Sequence, residues 1–212
     1  MARMTLPEPL AVPWAMKPLD SADADMHRLG DGRLRLALRH DVLRGITPDM
    51  VRWWFQHIAG DMWLEGRLVA RYRVWHPRDH VSFQLVRRGG HEVGPGAVFH
   101  IRECFGRDPR WALDTRLHVD RLDDGGFATR PSMHGLRLAR MTYRFAPVTG
   151  GTRYENDLTV GLAGVRWFNT AVLPRFFPEE RGRAWLLHNV EEVGNLEFFL
   201  PDLLAQVRGE AA

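Results

Sequence analysis

Hydrophobic and polar positions alternate along much of the chain in short runs broken by glycine and proline, the period expected of half-buried β-strands. Residues 33–39 (RLRLALR) are the first such run. Residues 67–75 follow, with Leu68, Ala70, Tyr72 and Val74 on one side, then residues 97–104, 116–122, 136–145 and 152–160. The last two flank Pro147-Val-Thr-Gly-Gly151, a good hairpin connection. Three segments break the alternation. Thr47-Pro48-Asp49 combines an N-cap residue with proline at the first helical position and leads into the aromatic-rich MVRWWFQHI. Residues 167–177 read as a short helix bounded by Pro174 and Pro178. From Glu179 the chain is free of proline until Pro201 and starts with two acidic residues, which suits a first helical turn. Residues 1–30, rich in Pro and Asp, read as an extended arm, and residues 31–212 as one domain. The order is arm, strand, helix, five or six antiparallel strands and a long C-terminal helix. It predicts an α+β fold in which a curved sheet grips that helix and leaves a cavity between the two.

Composition narrows the function classes. Hydrophobic residues at 45% and charged residues at 26% are ordinary globular usage and argue against bulk disorder. The net charge is +3, Lys17 is the only lysine, and the arginines are interspersed with acids, so no nucleic-acid-binding stripe is indicated. A single cysteine, Cys104, excludes an internal disulfide and fits a reducing compartment. No leader-like apolar segment or membrane span is visible, and the expected location is cytoplasmic.

Candidate chemistry centres on the C-terminal helix. His188 and Glu192 are one turn apart, pointing together from the border of an apolar face, a spacing that lets one helix give a metal ion two ligands. An isolated pair of this kind is ordinarily a solvated ion pair, so the metal reading depends on further ligands. In WHPRDHV, Pro77 forces His76 to be extended and starts a turn that leaves His80 at the rim of whatever the preceding strand lines. On the 97–104 run, Glu103 shares a face with Phe99 and Ile101. A carboxylate buried there must be paired, protonated or metal-bound, whereas if the opposite face is buried Glu103 is simply exposed. His134 falls in a loop-like stretch from which a polar side chain can enter a cavity mouth. If the helix lies across the sheet, His188 and Glu192 come opposite His80 and Glu103.

These residues carry a resemblance. GITPDMVRWW (45–54), YRVWHPRDHV (72–81), the Glu103 strand, GGTR (150–153) and HNVEEVGNLE (188–197) together resemble the diacetylphloroglucinol hydrolase and phloretin hydrolase family, over roughly residues 41–202. The resemblance implies a Bet v 1-like helix-grip fold and hydrolysis of the carbon–carbon bond between an acyl group and a phenolic ring. It implies His80, Glu103, His188 and Glu192 as zinc ligands, although such an oxygen-rich set also suits Mn or Fe. Tyr72 corresponds to the family's phenol-binding tyrosine and His134 to its proton-transferring histidine, a catalytic pair in which Tyr72 helps His134, with Tyr143 and Tyr154 both candidates for a second substrate tyrosine. Where the family has an asparagine touching substrate, three residues after the first His ligand, this chain has Phe83. The implied partner is a small phenolic ketone, with no nucleic acid or membrane and with a homodimer left open. The rival reading is a non-catalytic helix-grip protein carrying an aromatic or lipid ligand without metal.

Overall fold

The computed structural model describes residues 4–132 and 138–209. Its strands are β1 (Ala22–Arg28), β2 (Leu34–His40), β3 (Leu43–Arg44), β4 (Asp61–Leu64), β5 (Arg67–Ala70), β6 (His80–Arg87), β7 (Val98–Cys104), β8 (Ala112–Asp123), β9 (Gly126–Ser132), β10 (Ala139–Val148) and β11 (Gly151–Val160). The α-helices are α1 (Pro48–His57), α2 (Arg71–Trp75), α3 (Leu173–Phe176) and α4 (Glu179–Arg208). One antiparallel sheet runs β1-β2-β11-β10-β9-β8-β7-β6, with β3 also beside β11, while β4 and β5 form a separate hairpin. The sheet curves around α4. This is the Bet v 1-like α+β architecture.

Local chemistry accounts for the elements. The Thr47 hydroxyl accepts the Met50 N–H at 3.3 Å and Pro48 occupies the first turn, so α1 begins where its sequence signals place it. At the β10–β11 hairpin Gly150 has φ +85°, and a Cβ on Gly151 would lie 1.9 Å from the Leu43 carbonyl oxygen, so only glycine lets β3 approach β11 there. The core falls into two apolar clusters. Leu34, Leu36, Leu158, Trp185 and Val190 pack about the N-terminal half of α4. Trp54, Phe55, Phe127, Leu196, Phe199 and Leu203 pack about its C-terminal half.

Four sequence expectations change. Within the first thirty residues, Ala22–Arg28 is not arm but an edge strand in register with β2. Its only apolar positions are Ala22, Ala24 and Met26, a weak alternation, and it is held by backbone pairing to β2 with Ala22 and Met26 packed against the core. Residues 67–75 are not one strand, because β5 ends at Ala70 and Arg71–Trp75 turns into α2, burying Tyr72, Val74 and Trp75. Residues 126–132, outside the alternating runs, pair as β9 after the Asp124-Gly125 turn, a strand that contains Pro131. Finally, α4 passes through Pro201 to Arg208. Losing a helical hydrogen bond costs roughly 3 kcal/mol. Burying Leu203 and Leu204 beyond it returns about 1.5–3 kcal/mol each, so the helix continues.

Candidate metal centre

The site is assembled from three elements at the boundary between the two apolar clusters. His80, the first residue of β6, is in register with Glu103 of β7. His188 and Glu192 face them from α4, and all four side chains are buried. His80 Nε2 lies 3.4 Å from Glu192 Oε2 and 3.6 Å from Glu103 Oε1. His188 Nε2 lies 3.7 Å from Glu192 Oε2 and 4.0 Å from Glu103 Oε2. Ligand atoms of His80, Glu103 and His188 all lie within 4.8 Å of one another. Glu103 is therefore on the buried face, beside Ile101. His80 is buried in the interior rather than at a rim.

Hydrogen bonds fix the imidazoles in a useful orientation. His80 Nδ1 is 2.7 Å from the Tyr72 carbonyl oxygen, which can only accept, so the proton sits on Nδ1 and the Nε2 lone pair points at the carboxylates. His80 Nε2 has no hydrogen-bond partner among the described residues although it is buried, an arrangement that fits a metal ligand. His188 Nδ1 is 3.1 Å from Asp79 Oδ2, which likewise leaves His188 Nε2 free to coordinate. Asp79 also accepts the Gly106 N–H at 2.7 Å. His76 stacks on His188 at 4.3 Å, accepts the Asp79 N–H on Nδ1 and donates from Nε2 to Glu191. The Tyr72 hydroxyl donates to Glu103 Oε1, and its ring stacks on His80 at 3.8 Å.

The electrostatics fit a cation. Burial raises the carboxyl of Glu103, and burial with the charges of Glu103 and Asp79 raises Glu192 to about 8. Burial, reinforced by the neighbouring His188 and His76, pushes His80 well below its ordinary value. For His188 burial acts downward, but the Asp79 hydrogen bond and the charges of Glu192, Glu103 and Asp79 outweigh it and raise the imidazole to about 9. His188 and Glu192 hold protons that a divalent ion would displace, and the two carboxylates and two imidazoles left after that release match such an ion in charge and donor type.

A cavity of about 350 Å³ opens from this cluster between sheet and helix. Its wall is mainly apolar. Tyr72, Glu103, His188 and Glu192 lie on it, as do Phe83 and Tyr143. Tyr143 donates its hydroxyl to Met141 Sδ at 3.0 Å. Tyr154 is packed against Tyr143, edge-on at 5.9 Å, and is not among the residues lining the cavity, whereas Tyr143 is. His134 lies outside the described residues, but Pro131 and Leu138 on either side of its segment line the cavity. Cys104 is buried, donates to the Asp108 carbonyl, and has its thiol pushed up by burial to about 11, which disfavours the thiolate at neutral pH.

Comparison with known proteins follows this geometry. Residues 20–101 match the DAPG hydrolase PhiG domain. The match takes in Tyr72, His80 and Phe83 and is a likeness to the DAPG hydrolase family over that part of the chain. No curated protein matches the chain in sequence. Among solved structures, a Rhodobacter sphaeroides protein is 14% identical with a TM-score of 0.50, covering 85% of this chain and 99% of that one. The di-domain ARO/CYC StfQ from the steffimycin biosynthetic pathway is 12% identical with a TM-score of 0.50, covering 85% of this chain and 53% of that one. Ara h 8.0201 is 11% identical with a TM-score of 0.49, covering 81% and 99% respectively. At these identities the likeness concerns the fold alone. No described helix is long and apolar enough to cross a membrane.

Sequence reasoning missed Asp79, His76 and Glu191. Asp79 stands between two histidines in WHPRDHV, yet its partner His188 is on α4, and no local spacing signals that contact.

Proposed function

We propose that this chain is a metal-dependent hydrolase that cleaves the carbon–carbon bond between an acyl group and a phenolic ring. The observation that carries the reading is the meeting of His80, Glu103, His188 and Glu192 at the wall of an apolar cavity, in a chain that matches the DAPG hydrolase PhiG domain. These four residues would hold the metal. Zinc suits the mixed nitrogen and oxygen donors, and manganese or iron suits the two carboxylates. When bound, such an ion supplies Lewis acidity, polarising an acyl oxygen and lowering the pKa of a water.

The chain's own residues do the rest. In the overall reaction the aryl–acyl bond breaks, water oxygen bonds to the acyl carbon to give a carboxylic acid, and the ring carbon gains a proton. The ring must be protonated for the bond to break, because the departing carbanion is otherwise too basic. His134 is assigned as donor of that proton. Tyr72 braces the Glu103 carboxylate through its hydroxyl and lines the cavity, while Tyr143 and Phe83 form walls against which an aromatic ring can lie. The apolar wall keeps bulk water away from the ring. The rival reading, an apolar ligand carrier without metal, gives no reason to bury Glu103 and Glu192 beside an unsatisfied His80 nitrogen.

The test is elemental analysis of the purified chain, followed by product analysis on a panel of acylated polyphenols. One divalent ion per chain is expected, lost in both His188→Ala and Glu192→Ala, together with release of carboxylic acid and deacylated phenol. Stoichiometric metal in both variants, or intact substrate across the panel with metal bound, overturns the reading.

A further inference from the structure

The same face of α4 that carries His188 and Glu192 also carries Arg181 and Trp185 to the cavity. Arg181 is two helical turns before His188, about 10 Å along the helix axis. Its surroundings are apolar, with Phe105, Leu113, Phe168, Leu173, Phe176 and Phe177 all lining the cavity. One terminal nitrogen donates to the Phe176 carbonyl at 3.1 Å, and the guanidinium lies 5.5 Å from the Phe177 ring centre. Nε is buried and has no partner among the described residues. Among the described residues no carboxylate forms an ion pair with Arg181, and burial lowers the pKa of its guanidinium.

An arginine placed this way is costly unless something answers it. A guanidinium has five N–H donors in a planar fork shaped for a carboxylate, and here one carbonyl and one aromatic face take up only part of that capacity. A brace for the short α3 helix would need no more than the Phe176 contact and would not have to face the cavity. The phenylalanines and leucines that share the cavity with Arg181 already give it an apolar wall, and a purely apolar ligand would be better served by leucine or methionine at this position than by a cation.

We propose that Arg181 is a substrate-recognition residue, and that the ketone held in this cavity carries a carboxylate at the end remote from its reacting carbonyl. This deepens the hydrolase reading, since the metal cluster at one end sets where the carbonyl lies and Arg181 at the other sets what the remote end must be. The paired carboxylate would complete the fork, and the aromatic wall would hold the carbon skeleton between the two polar ends.

The experiment is a binding series on the full chain with its metal, read by calorimetry. Three para-hydroxyphenyl ketones serve as probes: an unsubstituted alkyl ketone, the same ketone with its alkyl chain ending in a carboxylate, and the methyl ester of that acid. Wild type is expected to bind the acid about 10- to 100-fold more tightly than the ester, as a charge-assisted hydrogen bond gives. In Arg181→Met that preference should vanish or reverse, and Arg181→Lys should keep part of it. Where a probe is turned over, the same ratio is read from kcat/KM. If Arg181→Met melts out of the working range, Arg181→Gln, checked by its thermal transition, takes its place. An acid-to-ester ratio that is unchanged by the substitution, a wild type that favours the ester, or an equal loss of affinity for all three probes overturns the proposal, the last by making Arg181 a brace. The outcomes stay separate from the hydrolase reading, because an acid preference that depends on Arg181 with no turnover would leave the recognition intact and remove the chemistry.

Discussion

Replacing Asp79 by asparagine tests whether the hydrogen bond behind His188 matters to the metal site. Asp79 is 2% exposed, and its Oδ2 accepts from both His188 Nδ1 and the Gly106 N–H. Burial pushes this carboxyl up, but the hydrogen bond and charge of His188, the charge of His76 and the Gly106 bond outweigh it and hold the group below its usual range. As a pure acceptor the carboxylate keeps the His188 proton on Nδ1, which frees the Nε2 lone pair for coordination. Asparagine has the same shape but one oxygen and one NH₂. If the NH₂ turns toward His188, the ring proton is driven to Nε2 and blocks the ligand position. If the oxygen turns toward His188, the tautomer survives but the ligand loses the basicity that a full negative charge lends it. Losing such an outer partner typically costs 10- to 100-fold in metal affinity, or about 1.4–2.7 kcal/mol. The assay is chelator competition on the metal-loaded wild type and Asp79→Asn, with circular dichroism to show that both are folded. A variant that binds metal within about 2-fold of wild type refutes the reasoning, because the hydrogen bond would then be a packing contact only.

Three further outcomes follow from the same geometry. His40 is buried against Asn156, with its pKa lowered by burial to about 4. Because the folded value lies below the unfolded 6.5, the stability is present above 6.5 and is lost as pH falls toward 4. Urea unfolding should therefore find wild type about 2 kcal/mol less stable at pH 5 than at pH 7 from this residue. His40→Gln should lack that share of the drop, and equal pH dependence in both proteins would show His40 does not titrate on unfolding. Phe83→Asn places a hydrogen-bonding amide on the cavity wall and should raise kcat/KM on a fully hydroxylated acylphenol relative to less hydroxylated ones. No change in that ratio would mean Phe83 does not touch substrate. His134→Ala should keep its metal and lose about 100- to 10,000-fold in turnover, and near-normal turnover would remove His134 from the mechanism.

The sequence signals that worked were periodic ones. Leu34, Leu36 and Leu38 alternate into the core as β2, and His188 and Glu192 lie one turn apart on α4. The failures have physical causes. In residues 67–75 the alternation shares only Tyr72 and Val74 with the buried side of the structure, because Leu68 and Ala70 are exposed on β5 and the turn into α2 buries Tyr72 and Trp75 three residues apart as a helix does. Edge strand β1 alternates only the small Ala22 and Ala24 and Met26 with charged and polar residues and is paired to β2 through its backbone, so its side-chain pattern is weak. Asp79 and Arg181 are both invisible locally. One acts through a residue on a distant helix, and the other differs from any surface arginine only because the cavity reaches it.

The four-residue site has two levels of specification that fail in different ways. His188 and Glu192 meet because of helical spacing, which any helix over 179–208 provides. His80 and Glu103 meet only in the β6–β7 register, where they stand opposite each other at the head of β6. A bulge between His80 and Ser82 breaks the regular pairing immediately after the histidine, so the ring can turn inward with its Nδ1 on the Tyr72 carbonyl while Phe83 still faces the cavity two strand positions on. Slipping β7 by one residue would carry Arg102 into the position of Glu103 and reverse the sign of the charge offered to the ion. The apolar run Phe99 and Ile101 resists that slip, since it would expose both side chains at once. The metal cluster is therefore held in place by the same alternation that builds the core, and a substitution that loosens Phe99 or Ile101 weakens the site without touching a ligand.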